Sequence, residues 1–209
     1  SRKKMIRFKI NGDQTEDSRV LRKLKSAILK KHPQLNQSHD FLTQNKGRGF
    51  GIEGLSFDPQ KQKLLIGLRA PVIDGYAAIV VLENPLEVFE QDEKIKIATQ
   101  LIKLDLDQGG IRSITYDPGL KGYLILSRRE DKKNKAFKLW LWDGNPSHAP
   151  RRVRIPKNLS LDNAEGITPL SLFEQARLLI VYDDGDALKN LGAQYLLLTY
   201  EQLNIDESH

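Results

Sequence analysis

Six charged side chains recur at matching places along this 209-residue chain. Glu53, Arg112 and Glu165 each stand third in a similar stretch: Gly51-Ile-Glu-Gly-Leu-Ser-Phe-Asp58, Gly110-Ile-Arg-Ser-Ile-Thr-Tyr-Asp117 and Asn163-Ala-Glu-Gly-Ile-Thr168. Arg69, Arg128 and Asp183 each close the apolar run that follows: Leu64 to Arg69, Tyr123 to Arg128 and Leu178 to Asp183. The three arginines carry planar forks suited to phosphate or carboxylate, which makes Arg69, Arg112 and Arg128 candidate ligand contacts. Glu53, Glu165 and Asp183 are candidates for general acid and base work, or for holding a hard cation such as calcium through oxygen. Asp183 and Asp184, in the acidic turn Asp183-Asp-Gly-Asp186, are the weaker metal candidates, because the turn lacks the spacing of an EF-hand loop. The competing reading is architectural: the same residues pair as Glu–Arg bridges that tie one unit to the next.

What would bring them together is the repeat. Equivalent positions are 59 residues apart from Glu53 to Arg112 and 53 apart from Arg112 to Glu165. A period of roughly 40–60 residues with several strands per unit points to propeller blades. Neighbouring strands of a blade run antiparallel, so the start of the inner strand and the end of the second lie at the same end. All six charges then gather at one mouth of a central channel, on a rigid frame of the kind that carries functional residues.

The expected class is therefore all-β, propeller-like, with three four-stranded blades at 51–108, 109–160 and 161–204, preceded by an N-terminal region, 1–50, of one strand, a basic amphipathic helix and a loop. Blade one has strands at 52–57, 64–69, 76–83 and 101–106, with an irregular insertion or short helix over 84–96. Blade two has strands at 111–116, 122–127, 136–142 and 152–155. Blade three has strands at 164–168, 177–182 and 194–200, then a polar tail from Asn204 and no fourth strand. Runs such as Leu64-Leu-Ile-Gly-Leu68 and Leu139-Trp-Leu-Trp142 suit sheets covered on both faces. A β-sandwich or open barrel is the alternative, against which the regular repeat argues. Met5–Ile10 alternates like a half-wet strand, Asn11-Gly12-Asp13 marks a turn, and a helix is expected from Asp17 or Ser18 to about Lys31, where Pro33 stops it. Its stripe is Val20, Leu21, Leu24, Ala27 and Ile28. The loop ending Lys46-Gly-Arg-Gly-Phe50 has no P-loop context.

Composition narrows the chemistry. There is no cysteine, hence no disulfide, thiol nucleophile or thiolate zinc site. No apolar run reaches the roughly 18–20 residues that span a bilayer, so no membrane partner is expected, and the compartment, cytoplasm or periplasm, stays open. Of the net charge of +6, residues 1–48 hold a surplus of nine, with 13 Lys or Arg against 4 Asp or Glu. Such an arm can attract nucleic acid, anionic lipid or an acidic partner, but the leading reading is a solvated helix face; nucleic acid in particular is not expected, because the repeat region lacks a basic groove. His32, His39, His148 and His209 show neither metal spacing nor a Ser–Asp partner. Trp140 and Trp142 read as core, Asp58-Pro and Asp117-Pro as turns, and no nucleophile elbow or dinucleotide fingerprint occurs.

The stretches Gly51–Asp58, Leu64–Pro71, Gly110–Arg112, Leu141–Gly144, Ala164–Ile167 and Leu179–Gly185 resemble, in matching order over about residues 18–200, the bacterial family of unknown function numbered 3616. That family's motifs are similar to the esterase-like domain of phytase-type propellers. The resemblance implies a larger, six-bladed propeller. Three blades do not close a ring, so missing N-terminal blades or a second copy is expected to complete it, in keeping with a chain that starts Ser1-Arg-Lys-Lys without an initiator methionine. Two functions follow as expectations. One is binding, or calcium-assisted hydrolysis, of a small anionic ester or phosphoester at the channel mouth. The other is a non-catalytic scaffold in which the propeller faces and the basic helix bind protein.

Overall fold

The computed structural model describes residues 4–36, 50–129, 136–172, 174–186 and 191–207. They are mostly β, in four antiparallel sheets that do not close on themselves.

At the N-terminus Asn11-Gly12 turns the chain between β1 (Met5–Asn11) and β2 (Gln14–Leu21), with Gly12 at φ 59° where an L side chain would be strained. The helix expected from residue 17 or 18 is thus divided. Val20 and Leu21 pair with Ile6 and Met5 across the hairpin, and only Leu24–Lys31 is helical, as α1. Lys23, in the left-handed region at φ 66°, makes the switch. The Asn-Gly turn next to an alternating strand was the stronger local signal.

The first large sheet runs β3 (Gly51–Asp58), β4 (Lys63–Ala70), β5 (Ala77–Leu82) and β6 (Ile102–Leu104), with the short helix α2 (Pro85–Glu90) inserted before β6. The second runs β7 (Gly110–Asp117), β8 (Gly122–Arg128), β9 (Phe137–Trp142) and β10 (Arg151–Arg154). The third has β11 (Ala164–Leu172), β12 (Gln175–Tyr182) and β13 (Tyr195–Leu198). The polar tail does not trail off. It crosses to the second sheet as β14 (Asn204–Ile205), pairing Ile205 with Val153 of β10. The sheets therefore have four, five and three strands: the second gains one over the four expected, and the third has the three read from the sequence.

Packing follows the apolar runs. Leu65, Ile79 and Val81 of the first sheet meet Ile111, Ile114 and Ile125 of the second. Leu124, Leu126, Leu139 and Leu141 on its other face meet Ile167, Leu178 and Ile180 of the third. Complete burial of each such side chain contributes roughly 1.5–3 kcal/mol. Trp142 is buried in the first of these layers, as read from the sequence, while half-buried Trp140 lies at its margin under the Arg152 guanidinium. The outer face of the first sheet is largely covered. Ile28 and Leu24 of α1, Leu35 and Val88 of α2 pack on Leu64, Ile66, Leu68 and Val80. In the middle, β7 lies between β3 and β11.

Candidate charged site where three inner strands meet

Each inner strand carries a β-bulge, and in each the extra residue is charged. The pairing with the second strand skips Glu53 between Ile52 and Gly54, Arg112 between Ile111 and Ser113, and Glu165 between Ala164 and Gly166. A bulge residue has no cross-strand partner and is turned out of the pleat, so it can be aimed without breaking the alternation beyond it. The neighbouring glycines are part of the device. A Cβ on Gly54 would fall 2.8 Å from Ile111 Cγ2, and one on Gly166 2.7 Å from Val181 Cγ2.

The three bulges converge. Arg112 Nη1 donates to Glu53 Oε2 at 2.6 Å and reaches Glu165 Oε2 at 3.4 Å. Arg69 closes a further ion pair with Glu53 Oε1. Arg112 is the buried member at 7% side-chain exposure, while Glu53 and Glu165 keep 25% and 32%. Phe137, at the start of β9, supports two cations: its ring centroid lies 4.9 Å from Cζ of Arg128 and 6.0 Å from that of Arg112. Burial raises the Glu165 carboxyl above the usual Glu range; Arg112 opposes this, and the nearby charges of Glu53 and Asp183 add to it. All six positions read from the sequence therefore belong to one neighbourhood, with exposed Asp183 at its rim.

Metal chemistry finds less support in the arrangement. Among the described residues no group of three or more His, Asp or Glu side chains is placed to hold an ion. Arg112 stands between the two glutamates, and Asp184 Oδ1 accepts the Gln194 N–H at 2.9 Å as a turn lock.

The opposite ends of the inner strands hold a second set of contacts. Asp58 Oδ1 accepts the N–H groups of Gln60 and Lys61, which makes the Asp-Pro turn, and its Oδ2 accepts the Tyr123 hydroxyl of the next sheet at 3.0 Å. Burial alone would raise the Asp58 carboxyl; the Lys61 N–H and the Tyr123 hydroxyl outweigh it and hold the group below the usual Asp range. Asp117 repeats this, capping Gly119 and Leu120 and accepting the Tyr200 hydroxyl at 2.7 Å. The turns were legible, but the inter-sheet tyrosines were not, since Tyr123 and Tyr200 occupy different places in their repeats. His32 is a satisfied core residue, its Nε2 3.0 Å from Ala98 O. His148 Nδ1 lies 2.6 Å from Asp143 Oδ2 in an exposed turn. His39, His209 and the loop up to Gly49 lie outside the described residues.

Bulges carrying charge at the meeting point of serial antiparallel sheets define the class: an all-β repeat protein with a polar cluster where its inner strands converge. The chain belongs to a family of proteins of unknown function, DUF3616, whose family model matches residues 13–197. No curated protein and no solved structure matches it.

Proposed function

We propose that the three large sheets are propeller blades and that the cluster at their inner ends binds a small anion, a carboxylate or phosphoester. The observation that carries the reading is the convergence of Glu53, Arg112 and Glu165 from three different sheets, with Arg69 and Arg128 alongside. In this reading Arg112 is the fixed centre. Arg69, whose Nε is buried and finds no hydrogen-bond partner among the described residues, and Arg128, on the Phe137 face, supply the anion contacts. Glu165, its carboxyl raised by burial, holds or moves the proton if an ester is cleaved.

The test is calorimetry and thermal shift with citrate, glycerol phosphate and p-nitrophenyl phosphate, each with and without calcium. Binding that weakens at least tenfold in Arg69→Gln or Arg128→Gln supports the reading. Neither heat, stabilisation nor turnover with any of them contradicts it.

A scaffold role is favoured by a different observation. Ile6, Phe8, Ile10 and Val20 lie exposed on the N-terminal hairpin, an apolar patch of the kind that marks contact sites.

A further inference from the structure

The register of the sheets says what is absent from the third one. Leu65, Leu124 and Leu179 are equivalent on the second strands, as are Ile79, Leu139 and Tyr195 on the third strands. In the first two sheets these positions lie under the following sheet: Leu65 is 6% exposed, and Leu124, Ile79 and Leu139 are 0%. In the third sheet Tyr195 is 67% exposed and its cross-strand neighbour Val181 is 42%. The described residues put nothing over this face. The charges at the inner corner alternate as well: Glu53, then Arg112, then Glu165, each answered by its neighbour. Glu165 and Asp183 extend this series with negative charge.

Building on the propeller reading, we propose that the face formed by Leu179, Val181, Tyr195 and Leu197 docks a further antiparallel sheet whose inner strand begins with an arginine or lysine at the bulge. The partner is thus a β-sheet polypeptide with an apolar face and a basic corner. A second copy of this chain does not meet that description. The equivalent face of its first sheet lies under α1 and α2, and its corner would bring Glu53 against Glu165 and Asp183. Like charges placed together across an interface are unfavourable.

The chain's own second unit has the required chemistry and serves as the probe. The full chain is extended at its C-terminus by a Gly/Ser linker and a second copy of residues 109–160. Because the protein has no cysteine, Val181→Cys gives a single thiol whose maleimide labelling reports cover over the face. The expected result is labelling slowed at least tenfold in the extended chain, and protection lost when Arg112 of the added copy alone is changed to Glu. Circular dichroism shows whether the added unit folds. Several outcomes overturn the proposal: unslowed labelling, an added unit that stays unfolded, equal protection by the Glu-bearing copy, or concentration-dependent protection of the unextended chain with dimers in sedimentation. The last would assign the face to a second copy. Ligand binding at the charged cluster is read out separately, so the two proposals fail independently.

Discussion

Arg112 Nη1 sits 2.6 Å from Glu53 Oε2 and 3.4 Å from Glu165 Oε2, so one nitrogen of the middle sheet touches carboxylates of both flanking sheets. The distances make the relationship unequal. Glu53 also holds Arg69, whereas Glu165 is the distant partner and the one whose ionisation burial opposes.

That inequality separates the two glutamates. Glu53→Gln removes the closest charge from a buried guanidinium and is expected to cost about 1–2 kcal/mol in urea unfolding, discounted from a fully buried pair for solvent access. Glu165→Gln is expected to change stability by less than about 1 kcal/mol at pH 7, in the stabilising direction. The sign follows from linkage. A carboxyl raised in the folded state costs nothing below its unfolded value, and stability falls as pH rises from there through the folded value. The advantage of Glu165→Gln should therefore vanish below the ordinary Glu range.

Asp58 behaves in the opposite sense. It caps a turn and accepts the Tyr123 hydroxyl, and those contacts hold it low. Asp58→Ala is expected to cost roughly 2–3 kcal/mol, and Tyr123→Phe or Tyr200→Phe about 1 kcal/mol each. Stability from a depressed carboxyl is present above its unfolded value and lost as pH falls through the folded one. Acid titration should thus unfold the wild type more steeply, below the usual Asp range, than Asp58→Ala.

The joint between the first two sheets depends on a missing side chain. A Cβ on Gly110 would lie 1.9 Å from the Arg69 carbonyl oxygen, so one backbone must move. Gly110→Ala should cost about 3 kcal/mol or more, or abolish folding. Gly192→Ala, with nothing within 4 Å, should stay within about 0.5 kcal/mol in the same thermal melts.

The C-terminal strand predicts a local effect. Ile205 pairs with Val153, and Leu203 and Ile205 pack on the layer between the second and third sheets. Deleting residues 203–209 should accelerate amide exchange along β9 and β10 while sparing β4 and β5, at a cost of about 1–2 kcal/mol.

These relationships differ in how far the sequence announced them. The repeat at Glu53, Arg112 and Glu165 was plain because strands alternate with period two and turns punctuate them, and the strand positions of the first two sheets followed. The bulges were not read, although Gly54 and Gly166 beside the charged residues are the kind of in-strand glycine that marks one. The split of residues 14–31 into strand and helix was hidden because Val20 and Leu21 fit both a helical stripe and a pleat. The return of Asn204–Ile205 to the second sheet rests on long-range pairing of two residues, which leaves no periodic trace. Phe137 gave no signal of its role: a phenylalanine opening an apolar strand looks the same whether it packs in a core or carries arginines.

The convergence itself is tested most directly by a double-mutant cycle between Glu53 and Arg112, which lie 59 residues apart in sequence. Unfolding free energies of Glu53→Ala, Arg112→Met and the pair, measured in urea, should show a coupling of at least about 1 kcal/mol. Additivity within about 0.3 kcal/mol would mean that the two sheets do not meet at this point, and would contradict the account.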